Sequence, residues 1–427
     1  MESWLEIDPE SPFSLANIPF GIISTSNNSN PRPATILGEH VIDLELFSQN
    51  GGFGELPIEA TDMKPLSGSL SQPQLNAFAK LGQKIHNAVR SYLQDVFRKD
   101  GPFPKVLEQD AALRTKVILP AAEIKTHLPM AVGGYTDFYA GRNHAYNIGV
   151  MFRGAANALQ PNYEHLPVGY HGRPSSIVVS GTPVRRPNGQ ILPVGSKDPV
   201  FSPSKKFDIE LELAAFLCHD SDMGVPIPIE KTAEYIFGYV LMNDWPARDI
   251  QAWEYVPLGP FLSKSFATTI SPWIVLPSAL EPFRAEGLSP GNRTTLLPYL
   301  REERAANVYD IDLAVDLATK EGQKTRLVET NGKHLLYSFQ QMLAHHTVGG
   351  CPMRAGDLLG SGTISGLTKE SRGALIEQTT NGKEPVKLDG EVERSFLQDG
   401  DVVTMSGRCG TKGAFVGFGD CEGKIIP

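Results

Sequence analysis

The chain has 427 residues, a formal net charge of −9 at pH 7 and a hydrophobic content of 41%. Its acidic balance argues against a nucleic-acid-binding protein, which needs clustered cations for phosphate, and its hydrophobic share is enough for a packed core and excludes a disordered chain. The 41 glycines and 33 prolines predict frequent turns and argue against a helical bundle, and the length suggests two or three domains of roughly 100–200 residues each.

The first part of the chain predicts a small β domain with a helical segment. Residues 17–45 alternate short apolar runs with turn residues, which is typical of strands. Between residues 73 and 99, apolar side chains recur at helical spacing, and Gly82 is expected to interrupt the helix. Pro120 and Pro129 bracket a boundary near residue 125, which predicts domains at 1–125 and 126–427.

Strand patterns dominate the rest of the chain. The strand-like segments are residues 175–184, 207–217, 235–244, 271–277, 308–317 and 401–407. Short helices are expected at 230–236, 246–254 and 338–346, and the turn-rich residues 280–305 predict a surface excursion. The expected fold class is therefore mainly β (α+β), with a small N-terminal barrel-like domain before a large mixed β domain.

The chain has four cysteines, which are far apart and form no CxxC pair. They are Cys218, Cys351, Cys409 and Cys421. We therefore expect reduced thiols, no cysteine-based zinc site and a cytoplasmic protein. The acidic first residues lack the apolar stretch of a secretory signal, and no apolar run of about 18 residues predicts a membrane span.

Three acids alternate in the strand-like segment that begins at Phe207. Alternate side chains of a strand share a face, so Asp208, Glu210 and Glu212 are expected to point the same way, about 6–7 Å apart. One interpretation is an amphipathic strand with a solvated acidic face. The other is a bound cation that bridges the carboxylates, for which hard oxygen donors favour Ca²⁺ or Mg²⁺ over zinc.

Two further acids favour the cation site. Asp244 ends the apolar run YVLMND and comes just before Pro246, which predicts a helix start; a helix N-cap is its alternative role. Asp137 lies in the segment GYTDFYAGRNHAYNIGVMFRG, which is rich in glycine, aromatic and polar residues and which we interpret as a loop. An Asx turn is its alternative role.

The same segment and its neighbours supply candidates for acid–base chemistry and anion binding. His144 is either a general base, since the pKa of histidine lies near working pH, or a structural residue. Arg153 could hold a carboxylate in a bidentate pair or form a surface ion pair. Tyr139 and Tyr170 could donate to that carboxylate or simply pack in the core.

On a helix starting near Pro246, the side chains of Arg248, Gln251 and Tyr255 share one face. With Lys264 they could stabilise an oxyanion or a leaving carbanion, or they could form an ordinary polar helix face.

Near the end of the chain, Gly362 and Thr363 lie in a loop whose backbone can approach a ligand. Glu377 ends an apolar run and could be buried beside a histidine, whereas His346 is expected to be a packed core residue without a catalytic role.

Long ordered motifs carry a resemblance that runs along essentially the whole chain. They are YTDFYAGRNHAYNIGVMFRG, LPVGYHGRPSSIVVSGTPVRRP, FDIELELAAF, LMNDWPARDIQAWEYVPLGPFLSKSFATTISPW, AGDLLGSGTISG and GFGDCEGKIIP. The chain resembles the fumarylacetoacetate hydrolase family. The resemblance implies an SH3-like N-terminal barrel, a C-terminal β-roll domain, a homodimer, and hydrolysis of 4-fumarylacetoacetate to fumarate and acetoacetate, the last step of tyrosine and phenylalanine breakdown.

The resemblance also implies roles for particular residues. The Ca²⁺ ligands fall on Asp137, Glu210, Glu212 and Asp244, and a second, structural Mg²⁺ site falls on Asp244, Thr268 and the carbonyl of Lys264. The base falls on His144, with Glu377 as its partner. The oxyanion group falls on Arg248, Gln251 and Lys264, and substrate-binding positions fall on Tyr139, Arg153, Tyr170, Gln251, Tyr255 and Thr363.

Two other functions remain open at this point. One is a related chemistry on the same scaffold, such as a hydratase, isomerase or decarboxylase of 2-oxo acids, which would share the acidic metal site without needing the His144 segment. The other is a non-catalytic scaffold stabilised by Ca²⁺. The full-length resemblance favours the hydrolase.

Overall fold

The computed structural model describes residues 2–288 and 296–427. Its strands are β1 (Phe20–Thr25), β2 (Arg32–Leu37), β3 (His40–Asp43), β4 (Ile118–Pro120), β5 (Ile124–His127), β6 (Tyr135–Phe138), β7 (Gly169–His171), β8 (Ile177–Val179), β9 (Val184–Arg185), β10 (Asn188–Ile191), β11 (Val200–Pro203), β12 (Leu211–Leu217), β13 (Ile236–Asn243), β14 (Thr268–Ile270), β15 (Arg284–Ala285), β16 (Val308–Tyr309), β17 (Asp312–Ala318), β18 (Lys324–Asn331), β19 (Leu358–Gly360), β20 (Val386–Lys387), β21 (Glu393–Arg394), β22 (Val402–Cys409), β23 (Val416–Gly417) and β24 (Cys421–Ile426). Its α-helices are α1 (Leu44–Gln49), α2 (Ala60–Ser69), α3 (Asn76–Ala79), α4 (Gln83–Phe97), α5 (Ala111–Val117), α6 (Arg142–Arg153), α7 (Arg248–Glu254), α8 (Pro277–Leu280), α9 (Phe339–Thr347) and α10 (Leu375–Gln378). Residues 289–295, part of the surface excursion predicted at 280–305, lie outside the described residues.

Three larger sheets organise the described ranges. The orders of their strands are β4-β3-β2-β1-β5, β7-β6-β19-β12-β13-β14-β8 and β18-β17-β22-β24-β9. Strand β23 pairs with β22 and is the sixth strand of the last sheet. In the seven-stranded sheet, β12 pairs antiparallel with β13, and β19 pairs parallel with β6. The predicted fold class, mainly β with a small N-terminal unit before larger mixed sheets, is confirmed.

The N-terminal predictions match the elements closely. Strands β1 to β3 lie within residues 17–45, and α3 and α4 lie within residues 73–99. Gly82 separates the two helices with a φ of 82°, a conformation that favours glycine. Strand β5 pairs with β1, so the boundary predicted near residue 125 falls inside a strand of the N-terminal sheet.

Several predicted strands are shorter than their apolar patterns. The strand predicted at 207–217 begins only at Leu211, and residues 175–184 divide into β8 and β9. The strand predicted at 271–277 is wrong, since these residues form only isolated bridges at Ile274 and Val275. Prolines at 272 and 277 flank these bridges, and proline cannot donate to a ladder. The helix predicted at 230–236 is a 3₁₀ helix, Ile229–Tyr235.

The seven-stranded sheet is covered on both faces. Ala214 and Phe216 of β12 share an apolar core with the N-terminal helices, including Phe78 and Val89. Their neighbour Leu213 points the other way and joins a core built with the six-stranded sheet. Burying both faces fixes the strand register, because a slip by one residue would exchange the two faces.

All four cysteines are free thiols, and Cys218, Cys409 and Cys421 are buried. Within residues 2–288 and 296–427, no helix combines the length and the apolar character needed to cross a bilayer.

His86 lies in the layer that covers this sheet, and its protonation is expected to destabilise the fold at acid pH. Its Nε2–H donates to the carbonyl oxygen of Phe78 over 3.0 Å, and its ring packs against Phe237 of β13. Burial lowers the pKa of His86 to about 4. Below about pH 6.5 the unfolded chain takes up a proton that the folded chain refuses until about pH 4, so stability falls across that window by about 3 kcal/mol.

Urea unfolding at pH 7 and pH 5 measures this effect, with His86→Gln as the comparison. Between these two pH values the free energy of unfolding of the variant is expected to fall by about 2 kcal/mol less than that of the wild type. The reason is that about 1.5 pH units of the window, from about pH 6.5 to pH 5, lie in this range. Equal pH dependence in the two proteins would show that His86 is not the cause of the loss of stability.

Candidate active site

A cavity of about 380 Å³ opens between α6, α7, the loop after α7 and the ends of β6 and β7. Most of the predicted site residues line it. They are Asp137, Tyr139, His144, Arg153, Tyr170, Glu210, Glu212, Arg248, Gln251, Tyr255, Lys264 and Thr363. The other three, Asp244, Thr268 and Glu377, are buried against this wall.

Three buried acids meet at the inner end of the cavity. Carboxylate oxygens of Asp137, Glu212 and Asp244 lie within 4.8 Å of one another. Asp137 comes from β6, Glu212 from β12, and Asp244 follows the last residue of β13. Gly360 of β19 leaves room for them, since a Cβ there would lie 2.5 Å from Asp137 Oδ1.

The acid cluster has the electrostatics of a cation site. Burial raises the pKa of Asp137 and of Glu212 well above the usual range, and the nearby Asp244 carboxylate raises both further. The backbone N–H of Gly362 donates to Asp137 Oδ1 at 3.2 Å and to Glu212 Oε2 at 2.9 Å. In the described part of the chain, buried Glu212 Oε1 has no hydrogen-bond partner. Buried oxygens left in this state suit a divalent metal, and the solvated acidic face is wrong.

Glu210 lies beside this cluster and pairs with cations. The ammonium of Lys264 contacts Glu210 and the Asp244 carboxylate, and it donates to the Asp244 carbonyl oxygen at 2.9 Å. Burial acts to raise the pKa of Glu210, but Lys264 and Arg248 bring it down to about 2. Lys264 therefore presents its ammonium to the acids, whereas the resemblance implies its carbonyl as a ligand.

Asp244 has two further partners. The Tyr170 hydroxyl donates to Asp244 Oδ2 at 2.6 Å, and the Thr268 hydroxyl donates to Oδ1 at 3.1 Å. Tyr170 therefore holds a protein carboxylate in this structure.

His144 and Glu377 form a buried pair at the side of the cavity. His144 Nδ1 lies 2.6 Å from Glu377 Oε2, and Nε2 lies 3.8 Å from Glu210 Oε1. Glu377 also accepts from Asn147 Nδ2 and from Ser365 Oγ, each at 2.8 Å. Burial acts to raise the pKa of Glu377, but the charge and hydrogen bond of His144 lower it below the usual value. When Nδ1–H donates to Glu377, Nε2 is the ring nitrogen left to accept a proton.

The interpretation of the segment around His144 as a loop is wrong, because His144 lies on helix α6. The preceding Gly141 comes so close to the chain at Thr363 that a Cβ would lie 2.0 Å from the Thr363 carbonyl oxygen. The ring of Tyr139 packs edge-on against the imidazole, with centroids 5.6 Å apart. The helix therefore fixes the imidazole against the cavity wall.

Helix α7 presents Arg248 and Gln251 to the cavity, and Tyr255, the residue that follows the helix, also lines it, as the spacing of the three predicts. Arg248 Nε donates to Asp208 Oδ2 at 2.8 Å, and Nη1 lies 2.7 Å from Glu210 Oε1 and 3.2 Å from Gln251 Oε1. Among the described residues, no group accepts from buried Nη2 of this guanidinium. Arg248, which lines the cavity, therefore keeps one guanidinium nitrogen without a partner in the part of the chain that the structure describes.

The remaining predicted ligands of the substrate lie at the rim or in the wall. Arg153 is exposed and donates to the carbonyl oxygens of Asn157 and Ala158. Tyr255 is also exposed, whereas Thr363 is buried.

The motifs left some contributors unrecognised. Asn147 and Ser365 hold Glu377, Asp208 holds Arg248, and Phe152 and Leu258 add apolar surface to the cavity. A helical assignment for residues 142–153 would have placed Asn147 one turn from His144 on the same face. No local pattern marks Ser365.

Two family descriptions match adjacent parts of the chain. "Fumarylacetoacetase N-terminal" matches residues 16–129, and "Fumarylacetoacetate (FAA) hydrolase C-terminal" matches residues 135–426.

Relatives of full length are similar to this chain. Fumarylacetoacetase of Aspergillus fumigatus is 59% identical over 430 residues, that of Arabidopsis thaliana 46% over 428, and that of Homo sapiens 43% over 426. Each comparison covers 100% of this chain and 99% of the relative. Among solved structures, a putative HpcE protein from Mycobacterium smegmatis has a TM-score of 0.51 and 16% identity, covers 95% of this chain and 98% of that one, and shows a shared fold.

Proposed function

The chain belongs to the fumarylacetoacetate hydrolase family and hydrolyses 4-fumarylacetoacetate, and from that premise we propose how its residues carry out the reaction. The observation that supports the mechanism is the convergence on one cavity of the His144–Glu377 pair, the acid cluster and the Arg248 guanidinium. These groups supply a base, a cation site and an oxyanion donor.

His144 is the general base. Cleavage of a 1,3-diketone requires that water add to one carbonyl and that the other fragment leave as an enolate. Nε2 of His144 faces the cavity and takes the proton of the attacking water while the water oxygen bonds to the carbonyl carbon. The same proton then passes to the enolate carbon as the C–C bond breaks, giving fumarate and acetoacetate. Such a positioned base contributes roughly 10²–10⁴-fold.

Asp137, Glu210, Glu212 and Asp244 are the proposed ligands of Ca²⁺. The partnerless oxygen of Glu212 and the three buried carboxylates support a hard cation. A divalent cation there would act as a Lewis acid on a carbonyl oxygen and orient the diketone. A second, structural Mg²⁺ site is proposed at Asp244, Thr268 and the Lys264 carbonyl, on the family resemblance and on the hydrogen bond between Thr268 and Asp244.

Arg248, Gln251 and Lys264 stabilise the developing oxyanion. The partnerless Nη2 of Arg248 supports this role, because a donor held in place before the reaction needs no reorganisation in the transition state. Tyr139, Arg153, Tyr170, Tyr255 and Thr363 are the proposed substrate-binding residues. Arg153 at the rim is placed to attract the carboxylates of the substrate.

The related 2-oxo-acid chemistries would need the acid cluster alone. The buried pair of His144 with Glu377 favours hydrolysis, because activating water requires a base with a fixed tautomer. The non-catalytic scaffold is excluded by the full-length identity to enzymes.

We further propose a cytoplasmic homodimer with domains at 1–125 and 126–427. The free thiols support a reducing compartment, and the two family matches, which meet between residues 129 and 135, support a division in this region. The family resemblance supports the dimer.

Loss of fumarylacetoacetate absorbance on mixing with the purified chain tests the proposal directly. Rapid loss is expected, and a chelator should lower the rate until Ca²⁺ is added back. A rate that is indifferent to chelation, with no metal in the protein, would contradict the metal-assisted mechanism. No loss of substrate would contradict the hydrolase.

A further inference from the structure

Asp208 makes contacts that the proposed mechanism does not use. The residue is fully buried and does not line the cavity, in contrast to Glu210 and Glu212 in the same segment. Because β12 begins only at Leu211, the strand alternation expected to group these acids does not extend back to Asp208.

Both carboxylate oxygens of Asp208 accept two hydrogen bonds each. Oδ1 accepts from the backbone N–H groups of Ile209 and Leu375, each at 2.8 Å. Oδ2 accepts from Arg248 Nε at 2.8 Å and from the backbone N–H of Ile376 at 3.1 Å. An ionised carboxylate has room for about four such bonds, so this one is fully used.

These contacts join the two halves of the catalytic machinery. On one side Asp208 fixes the guanidinium of Arg248, which contacts Glu210 through Nη1 and belongs to a residue that lines the cavity. On the other side it holds Ile376, the residue before Glu377, in the short helix α10. A displacement of Asp208 would therefore move the oxyanion donor and the partner of the base together.

We propose that Asp208 is a positioning residue that sets the oxyanion arginine and the His144–Glu377 pair in one fixed geometry. The inference rests on the proposed function of those groups. Stability alone is a weak explanation, because a buried ion pair often contributes little net free energy of folding. A displacement of about 1 Å, in contrast, costs an enzyme roughly 10²-fold in rate.

The chain offers a matched control in the pair of Asp401 and Arg394. Asp401 is also fully buried, accepts from Arg394 at 3.0 and 2.9 Å, and accepts a backbone N–H from Gln398 at 2.9 Å. It does not line the cavity or contact residues assigned to catalysis. Asp401→Asn therefore reproduces the loss of a buried ion pair without the link to the site.

The test compares Asp208→Asn with Asp401→Asn in the full chain. Asparagine keeps the size of the side chain but cannot accept at both oxygens. Asp208→Asn is expected to lower kcat about 30- to 100-fold with KM within about threefold, because the affected groups act in the transition state. Asp401→Asn is expected to lower the melting temperature comparably and to change kcat less than about twofold. Equal losses of activity in the two folded variants would overturn the proposal.

Double-mutant cycles locate the effect. In Arg248→Gln and in Glu377→Gln backgrounds, Asp208→Asn is expected to lower kcat by a smaller factor than in the wild type, because residues that act through one another are not additive. The full loss in both backgrounds would overturn the proposal. Asp208→Glu, which keeps the charge, replaces Asp208→Asn in these comparisons if the latter does not fold.

A spectroscopic measurement is independent of turnover. The Nδ1 proton of His144, identified by its absence in His144→Ala, is expected to resonate far downfield in the wild type and in Asp401→Asn. The resonance is expected to shift or disappear in Asp208→Asn. If Asp208→Asn shifts the resonance but the wild-type protein does not hydrolyse fumarylacetoacetate, the positioning role is supported and the function is rejected. An unchanged resonance with undiminished kcat would reject the positioning role alone.

Discussion

Turnover of fumarylacetoacetate is expected to fall by about 10²–10⁴-fold when His144 is replaced by alanine. The physical reason is that Nε2 is the acceptor facing the cavity, while Nδ1 is committed to Glu377 at 2.6 Å. The ring is nearly inaccessible, at 2% exposure, so water cannot freely replace it. Single-turnover kinetics measure the loss, with KM expected to change little because the proton moves only in the transition state.

His345→Ala is the matched control for this variant. His345 is a half-buried histidine on α9 whose Nδ1 lies 3.0 Å from the Tyr299 hydroxyl, away from the cavity. It should leave kcat within about twofold of the wild type. Both variants should keep the circular dichroism and bound metal of the wild type. Normal turnover in a folded His144→Ala protein would end the base assignment.

Bound metal is expected to be lost when Glu212 is replaced by glutamine. The change removes a charge from a cluster of three buried carboxylates within 4.8 Å and neutralises the residue with the partnerless oxygen. The affinity for Ca²⁺ should fall by more than the roughly 10–100-fold that an outer-shell change costs. Elemental analysis of the purified protein measures the loss, and turnover should fall with it.

Without metal, Glu212→Gln is expected to stabilise the protein. After chelation, Glu212→Gln should melt at a higher temperature than the wild type, because the wild type keeps the burial and the repulsion between carboxylates that raise the pKa of Glu212 and of Asp137. Asp401→Asn should keep the metal and melt at a lower temperature. Unchanged metal content in Glu212→Gln would remove this residue from the ligands.

Local patterns were sufficient where neighbours in sequence are neighbours in space. The helical spacing at 73–99 predicted α3 and α4, and the spacing of Arg248, Gln251 and Tyr255 placed all three on the cavity. The apolar run before Glu377 predicted a buried acid, and its exposure is 2%. In each case a single period, or a single run, fixes which side faces the core.

Patterns were insufficient where distant segments decide the outcome. His144 and Glu377 are 233 positions apart, so no local rule brings them together. Residues 271–277 look like a strand but bridge two different elements, Phe20 and Tyr239, one residue at a time. Asp208 parts from Glu210 and Glu212 because its backbone N–H donates to the carbonyl oxygen of Pro246 and its carboxylate accepts from Arg248 and from the backbone N–H groups of α10.

The shared apolar core between α3, α4 and the back of the seven-stranded sheet makes the front of the chain indispensable to the chemistry. Phe78 and Val89 seal the face of β12 and β13 opposite the six-stranded sheet. The C-terminal part of the chain, produced alone, would expose this apolar surface to water and is expected to aggregate. We therefore expect the two parts of the chain to unfold together, and we expect substitutions that loosen α3 or α4 to lower activity without changing a residue of the cavity.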